Sequence, residues 1–290
     1  MQTQNNQTYR RAGVAIRIRT AGEVLKRAER AIAEVVLKDP AAVIHMSISE
    51  LAQLAGVGES TVVRFCRTIG YTGYQEFKLR LAQDLVGSAG YIHERISFKD
   101  DVEQLASKIF QSNLQAIEDT QRAIDPQQIK KAAIQIAHAH KIEIYGIGYS
   151  FFTALDAKFK LLRLGLIADA SGDGHLQAMS ASTLSKKDIA IGISHSGSSR
   201  DTVDALSLAR ESGATTVAIT NFNPTPIASV ADFILLTAAS DTPLGGEVLT
   251  SRIAQLCVVD LLSAAVAIQL GRKCLGYIQR ASESVKTRRY

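Results

Sequence analysis

Residues 194–202, Ser-His-Ser-Gly-Ser-Ser-Arg-Asp-Thr, form a hydroxyl-rich stretch between two segments of regular structure. Ile189–Ile193 before it is apolar and predicts a buried strand, and the apolar residues after it recur at helical spacing until Gly213. The stretch is therefore predicted to join a strand to a helix. The first turn of a helix has unpaired N–H groups that attract anions, and the serine hydroxyls add donors. Such a loop favours a phosphate monoester, although capping and turn chemistry alone also explain a Ser/Gly-rich stretch.

A second loop of the same kind follows the strand predicted at Ile142–Tyr145. It consists of Gly146-Ile147-Gly148-Tyr149-Ser150 and precedes a predicted helix over residues 151–164. Because the carboxyl ends of parallel strands border one crevice, we expect both loops to face the same ligand. The spacing of its glycines also fits the start of a dinucleotide fingerprint, but Phe151 stands at the third glycine position and argues against NAD.

Strands are predicted to alternate with helices from residue 141 onward, which is typical of a parallel sheet with helices on both faces. The final helix, predicted over residues 249–270, is apolar nearly all round, so we expect it to pack against both the sheet and a second subunit. The fold class predicted for this half is an α/β domain with a five-stranded parallel sheet in a flavodoxin-like, three-layer arrangement. The predicted strands are Ile142–Tyr145, Leu166–Asp169, Ile189–Ile193, Thr216–Thr220 and Phe233–Thr237.

The N-terminal part has the pattern of an all-α helix-turn-helix domain. Ser47-Ile48-Ser49-Glu50 is a capping box that predicts a helix to about Ala55, and Gly56-Val57-Gly58 predicts a tight turn. A second helix is predicted over Glu59–Ile69, with polar and basic residues on its outer face. Such residues can enter the major groove of DNA and contact base edges. The DNA-binding residues predicted on this helix are Ser60, Thr61, Arg64 and Arg67.

Positive charge is concentrated in the same part of the chain. Residues 1–86 contain 12 Lys and Arg against 8 Asp and Glu, a net charge of +4, whereas residues 87–290 contain 21 against 20, a net charge of +1. The first third is therefore expected to meet a polyanion. The predicted organisation is a flexible basic arm at 1–20, a helix-turn-helix domain at 21–86, a linker at 87–100 and the α/β domain at 101–290.

The two halves together resemble the RpiR family of bacterial transcriptional regulators. Residues 194–199 resemble the S-x-S-G-x-[ST] signature of the SIS (sugar isomerase) domain, and residues 146–150 resemble its first loop. Residues 69–78 resemble the turn that follows the recognition helix in this family, where Lys78 is expected to contact a DNA phosphate. The resemblance implies that the SIS domain binds a sugar phosphate. The sugar-phosphate-binding residues predicted on this basis are Gly148, Ser150, Ser194, His195, Ser196, Ser199 and Glu247.

Fold alone does not separate a regulator from an isomerase, because SIS domains serve both. Isomerisation of a sugar phosphate requires a base above the C1–C2 bond, and the E-x-x-L-K-x-K-E helix of the glucosamine-6-phosphate synthase type does not occur in this sequence. We therefore predict a non-enzymatic regulator, more specifically a repressor, of carbohydrate metabolism. Its expected partners are operator DNA, a phosphorylated sugar effector and copies of itself in a homodimer or homotetramer. The alternative is a sugar-phosphate isomerase with an accessory helical domain.

Neither a cofactor nor a metal site is predicted. Cys66, Cys257 and Cys274 are far apart in sequence and lack metal-ligand spacing, so we expect small buried side chains rather than ligands. No run of residues is expected to reach the apolar length of a transmembrane helix, and the N-terminus lacks the apolar core of a secretory signal. A cytoplasmic protein without a membrane partner is the resulting expectation.

Overall fold

The computed structural model describes residues 14–22, 25–87, 97, 99–239 and 248–286. The chain divides into two compact units, residues 1–123 and 124–290. The helix at 102–123 thus falls in the first unit, whereas the sequence analysis assigned it to the α/β domain. The predicted bounds of the helix-turn-helix domain, the linker and the α/β domain stay predictions.

All regular secondary structure in the described part of the first unit is helical. One apolar core holds its first six helices together, and Phe77 lies at the centre of an aromatic group within it. The ring of Phe77 stacks on Tyr74 at 5.9 Å and meets Phe65 edge-on at 6.1 Å. The helices are α1 (Val14–Ala21), α2 (Arg27–Lys38), α3 (Pro40–Val43), α4 (Ile48–Leu54), α5 (Glu59–Thr68), α6 (Tyr74–Gly87) and α7 (Val102–Ala123).

Helix α1 lies in the segment that was predicted to be a flexible basic arm. Val14 and Ile18 are one helical turn apart and both are buried in the core of the first unit. Arg17 is buried between them, where its Nη1 donates to Gly70 O at 3.2 Å and its guanidinium lies 4.3 Å from the centre of the Tyr71 ring. These contacts offset the burial of the charge. A flexible basic arm over residues 1–20 is therefore wrong for 14–20, and residues 1–13 lie outside the described residues.

The second unit is built on the predicted five-stranded sheet, in which every strand pair is parallel. The strand order β2-β1-β3-β4-β5 is that of flavodoxin-like folds, so the predicted fold class is confirmed. The strands are β1 (Ile142–Gly146), β2 (Ala168–Ser171), β3 (Ile189–Ile193), β4 (Thr215–Thr220) and β5 (Phe233–Leu236). The helices are α8 (Pro126–Ala137), α9 (Tyr149–Arg163), α10 (Gly174–Ser182), α11 (Arg200–Glu211), α12 (Pro226–Ser229), α13 (Val248–Leu270) and α14 (Lys273–Lys286).

Alternation of side chains along the strands separates the two faces of this sheet. Branched residues such as Ile144 and Ile191 point to one face and share a core with α8, α9 and α13. Small residues such as Ala190 and Ala218 point to the other face and share a second core with α10, α11 and α12. The unit therefore has three layers, with the larger side chains under the longer helices.

The predicted strand bounds agree with the structure to within one residue except at β2, which begins and ends two residues later than expected. Gly165 has φ +86° and turns the chain after α9. The first hydrogen bond between this segment and β1 is then made by Ile167 O, which accepts from Ile142 N at 2.9 Å. Pairing in register begins at Ala168, opposite Ile142. Leu166 was predicted in the strand because it is apolar, but it lies in the segment that precedes β2.

Helix α13 contradicts one expectation. Its segment Ser251–Leu270 has a mean hydropathy of 2.0 and is, among the described residues, long and apolar enough to cross a membrane. It was predicted that no run would reach this length. In the second unit, α13 packs against α8 and α9, and its buried Gln255 accepts a hydrogen bond from Thr153 at 3.1 Å. The helix is thus a core element of the α/β unit on one side, while Leu261 and Ile268 on its other side are exposed.

Candidate functional site

The predicted helix-turn-helix is present as α4, a short turn and α5. Ser47 Oγ accepts from Glu50 N at 3.2 Å, and Glu50 Oε2 accepts from Ser47 N at 2.6 Å, which is the predicted capping box. Gly56 has φ +64°, a conformation that glycine adopts without strain, and it turns the chain between the helices. Helix α5 then begins after Gly58, which has extended backbone and no side chain with which to cap the helix.

The face of α5 that points away from the core carries the predicted DNA-binding residues. Ser60, Arg64 and Arg67 are exposed and Thr61 is half-buried, whereas the inward stripe that includes Phe65 is fully buried. Arg64 donates from Nε to Glu29 Oε1 at 3.2 Å. The outer face is thus basic and accessible, and one of its arginines is held by a carboxylate from α2.

Lys78, in α6, differs from the other predicted DNA contacts because its ammonium is already used inside the unit. Its Nζ donates to Met46 O at 2.8 Å and lies 5.7 Å from the centre of the Tyr74 ring. An ammonium has three donors, so a contact from Lys78 to a DNA phosphate stays a prediction.

In the second unit, the two predicted ligand loops lie at the point where the order of strands reverses. Strand β1 lies between β2 and β3, and Gly146 pairs with Ile193 where β1 and β3 end. Both loops therefore start at the same edge of the sheet, from neighbouring strands about 4.8 Å apart. Open α/β sheets bind ligands in the crevice outside this edge. We call the two loops, residues 146–150 and 194–199, the crevice loops.

The loop after β3 is held by its own hydroxyl groups. Ser194 Oγ accepts from Gly197 N at 3.1 Å and shares a hydrogen bond with Ser199 Oγ at 3.0 Å. Ser196 Oγ accepts from Ser198 N at 3.2 Å. Because the side chain of Ser199 caps no amide of α11, the first N–H groups of that helix are not satisfied by its N-cap residue. The loop closes into a tight turn whose hydroxyls and amides lie at the start of a helix.

Glycines are required in both crevice loops for steric reasons. Gly197 has φ +69°, and a Cβ there would lie 2.5 Å from Thr225 Oγ1. A Cβ on Gly146 would lie 2.8 Å from Ser150 O, and Gly148 has φ +59° at the N-cap of α9. The backbone thus passes closer to its neighbours than any side chain would allow.

Of the remaining predicted ligand residues, Ser150 is half-buried, His195 is buried and Glu247 is not described. Ser150 is half-buried in the first turn of α9, with its N donating to Ile147 O at 3.2 Å. The ring of His195 is 7% exposed and meets Phe222 edge-on at 5.5 Å, so it packs toward the end of β4. Glu247 lies outside the described residues. The structure brings the serines of the two loops to one edge of the sheet, and the ligand contacts of all these residues stay predictions.

Two polar residues near the crevice loops are not among the predicted ligand contacts, and only Thr202 belongs to the hydroxyl-rich stretch recognised in the sequence. Gln177 in α10 is fully buried, and its Nε2 donates to Gly146 O at 3.3 Å and to Ser171 O at 2.9 Å, which fixes the ends of β1 and β2. Thr202, in the first turn of α11, is also fully buried, and its Oγ1 has no hydrogen-bond partner among the described residues. A polar residue inside an apolar helical run was the available signal for Gln177.

The electrostatics of the crevice loops come from dipoles rather than from basic side chains. Neither loop contains Lys or Arg. Arg200, directly after the second loop, is exposed and pairs with Asp204 at 3.5 Å on the surface of α11. An anion in the crevice would be met by hydroxyl groups and by the N-termini of α9 and α11, which carry partial positive charge.

Comparison with known proteins identifies both units. Residues 12–88 match the helix-turn-helix domain of the rpiR family, and residues 135–265 match the SIS domain. The HTH-type transcriptional regulator HexR of Escherichia coli is 35% identical over 275 residues, which are 94% of this chain and 94% of HexR. The chain belongs to the RpiR family of transcriptional regulators.

Two solved structures resemble this RpiR-family chain over more than half of its length. The NanR protein of Vibrio vulnificus, complexed with ManNAc-6P, is 29% identical and has a TM-score of 0.60, with 93% of this chain and 97% of that chain covered. The sugar isomerase domain of an RpiR transcription factor from Sphaerobacter thermophilus is 27% identical and has a TM-score of 0.57, with 62% and 99% covered. The resemblance to the RpiR family inferred from sequence is thus confirmed, and the HexR proteins of Escherichia coli and Pseudomonas aeruginosa are both named as HTH-type transcriptional regulators.

Proposed function

We propose that this RpiR-family chain binds operator DNA through α5 and a sugar phosphate through the crevice loops, and that the sugar phosphate controls DNA binding. The proposed effector contacts are Gly148, Ser150, Ser194, His195, Ser196, Ser199 and Glu247, and the proposed DNA contacts are Ser60, Thr61, Arg64, Arg67 and Lys78.

The observation that carries the effector site is the meeting of the two crevice loops at the reversal of strand order. Two helix N-termini, α9 and α11, begin there, and neither is capped by a side chain of its N-cap residue. A phosphate monoester satisfies such amides and hydroxyls together, with no need for a lysine. The NanR complex supports the same class of ligand, because that relative binds ManNAc-6P.

Exposed apolar side chains support self-association through the second unit. Leu261 and Ile268 on the outer side of α13 are 44% and 76% exposed, and Phe152 and Phe159 on α9 are 57% and 66% exposed. Exposed apolar patches mark interaction sites. We propose a homodimer or homotetramer in which these helices pair and two copies of α5 contact the half-sites of a palindromic operator.

The sugar phosphate would control DNA binding if it bound one arrangement of the subunits more tightly than another. A ligand shifts an equilibrium only by its differential affinity for the two states, so an effector that favours the arrangement with mismatched half-site spacing weakens DNA binding. We propose a cytoplasmic repressor of carbohydrate metabolism on this basis. A promoter–reporter assay with and without the effector reads out the direction of the change.

Thermal unfolding with a panel of sugar phosphates tests the effector site. Ligand at about one hundred times its dissociation constant stabilises a fold by about 2.7 kcal/mol, so one or a few panel members should raise the melting temperature of the wild type clearly. Ser194→Ala and Ser196→Ala should abolish that rise, each variant being compared with its own ligand-free melting temperature. Ser182→Ala is the matched control, because Ser182 is an exposed serine of the same unit whose Oγ donates only within α10.

The outcomes separate the proposal from its rivals. A rise that survives both crevice substitutions would place the ligand elsewhere, and no rise with any sugar phosphate would leave the crevice as scaffold. Conversion of a panel member into another sugar phosphate would instead favour the isomerase alternative.

A further inference from the structure

Glu29 is a buried carboxylate that connects the start of α2 to the recognition helix α5. The residue is 2% exposed and lies in the first turn of α2. Its Oε2 accepts from Lys26 N at 2.9 Å, so one oxygen caps the start of α2. Its Oε1 accepts from Arg64 Nε at 3.2 Å and from Thr68 Oγ1 at 3.3 Å, so the other oxygen binds two residues of α5.

The bond to Nε determines how Arg64 is presented. A guanidinium is planar and has five donors in a fixed fork, so fixing its Nε–H restricts the directions of both terminal nitrogens. The Arg64 side chain is 54% exposed although its partner is 3% exposed, which means that the group is anchored at its inner edge and open to solvent beyond it. The two terminal nitrogens are the ones that a bidentate contact with guanine O6 and N7 needs.

Anchoring also reduces the entropy that binding must overcome. A free arginine side chain loses rotamer freedom when it is ordered, and holding it in place beforehand removes part of that cost. Arg67, on the same helix, is exposed and has no carboxylate partner among the described residues. The two predicted DNA-contacting arginines therefore differ: a carboxylate holds Arg64, and none among the described residues holds Arg67.

We propose that Glu29 is a positioning residue for base recognition, because it holds Arg64 in the orientation that reads guanine, while the exposed Arg67 serves as a phosphate contact. This inference rests on the proposed function, in which α5 enters the major groove. Glu29 itself touches no DNA in this arrangement and acts only through Arg64.

The test compares specific with non-specific binding by the full chain. Selection from a library of random-sequence duplexes first gives the preferred site of the wild type, and a scrambled duplex of equal length gives the non-specific affinity at the same salt concentration. Glu29→Gln keeps the size of the side chain but removes its charge and one of its two acceptors. Its matched control is Glu50→Gln, because Glu50 caps α4 as Glu29 caps α2 and does not contact Arg64.

Glu29→Gln should reduce the ratio of specific to non-specific affinity by about tenfold, the scale of one good base contact, and leave non-specific affinity unchanged. Glu50→Gln should leave the ratio unchanged. In an Arg64→Lys background, which keeps the charge but not the fork, Glu29→Gln should have no further effect on the ratio. Selected sites should lose their preference for guanine at one position in each half-site.

Equal losses of specific and non-specific affinity, or independent effects of the Glu29 and Arg64 substitutions, would show that Glu29 only stabilises the fold. If Glu29→Gln does not fold, Arg64→Lys still tests the inference, because a reading role requires the ratio to fall and a phosphate role does not. A different failure belongs to the proposed function: if the wild type selects no sequence, α5 is not a base-reading helix at all.

Discussion

The recognition helix α5 and the crevice helices α9 and α11 begin in the same way and differ in what surrounds that beginning. None of the three is capped by a side chain of its N-cap residue, which is Gly58, Gly148 or Ser199. Helices α4, α8 and α10, in contrast, are capped by Ser47, Asp125 and Asp173. The starts of α4, α8 and α10 are thus satisfied by their own N-cap side chains, whereas the starts of α9 and α11, where we propose phosphate binding, leave their first amides to a ligand.

The surroundings separate the two regions. Around α5 the polar groups are charged and exposed, as Arg64 and Arg67 show. The loop before α11 instead has a buried hydroxyl, Ser194, that is hydrogen-bonded within the loop, and no basic residue. Exposed charges bind a polyanion by releasing its counterions, while fixed dipoles bind a single phosphate by close fit. The two proposed activities should therefore respond differently to the same change of conditions.

Salt concentration should produce the largest difference. A protein that makes several phosphate contacts loses about a thousandfold in DNA affinity when salt rises from about 50 to about 200 mM. The affinity for the sugar phosphate should change by less than about threefold over the same range, because no lysine or arginine lies in the crevice loops. Fluorescence anisotropy for DNA and calorimetry for the sugar phosphate measure both slopes. A steep slope for the sugar phosphate would mean that basic side chains outside the crevice loops hold its phosphate.

Substitution of a turn glycine should produce the second-largest difference. Gly197→Ala strains a backbone with φ +69° and places a Cβ against the buried Thr225, so we expect about 3 kcal/mol of destabilisation and loss of the ligand-induced thermal shift. Gly56→Ala is the matched control, because Gly56 has φ +64° but open space around it. It should cost only about 1 kcal/mol, from strain alone. Equal losses in thermal unfolding would contradict the close packing of the crevice loop.

Much of this contrast could be predicted from sequence, because it is local. The capping box at Ser47–Glu50, the turn at Gly56 and the strand at Ile189–Ile193 are all encoded within a few residues, and the structure confirms them. Contacts between distant residues could not be predicted in the same way. Glu29 binds Arg64 across 35 positions, and nothing near Glu29 in sequence distinguishes it from an ordinary helix-capping carboxylate.

Helix α1 is a second case in which contacts between distant residues could not be predicted from sequence. Its arginines suggested a solvent-exposed arm, since an isolated buried arginine is costly. The carbonyl of Gly70 and the ring of Tyr71, which make the burial of Arg17 acceptable, lie more than fifty positions away along the chain. Sequence patterns thus predicted the helices that carry the proposed site, and packing determines which of their polar residues are available for binding.

Loss of the Arg17 contacts should have the third-largest effect and should be confined to the first unit. Arg17→Met keeps the buried stem but removes the hydrogen bond to Gly70 O at the end of α5 and the contact with Tyr71, so we expect about 2 kcal/mol of destabilisation. Hydrogen exchange should rise in residues 59–70, while the thermal shift caused by the sugar phosphate persists. Arg27→Met, at an exposed position of α2, is the control and should change neither. Unchanged exchange in α5 would mean that Arg17 does not stabilise the end of the recognition helix.

The acid dependence of the two helix starts should give the smallest and sharpest contrast. The backbone N–H of Ser47 donates to the carboxylate of Glu50 and lowers the pKa of that group below its ordinary value of 4.5. A lowered pKa stabilises the folded state above pH 4.5, and this stabilisation is lost as the pH falls through the folded-state pKa. Glu50→Gln should therefore lower the stability of α4 at neutral pH and flatten its decline as the pH falls below 4.5. Helix α5, which begins at Gly58 without a side-chain cap, has no corresponding N-cap group to titrate.

Amide chemical shifts of residues 47–51 and 58–62, followed over the same pH range, compare the two starts directly. A titration of equal size at both would show that a carboxylate also stabilises the start of α5, and would remove the contrast between a helix start with a side-chain cap and one without.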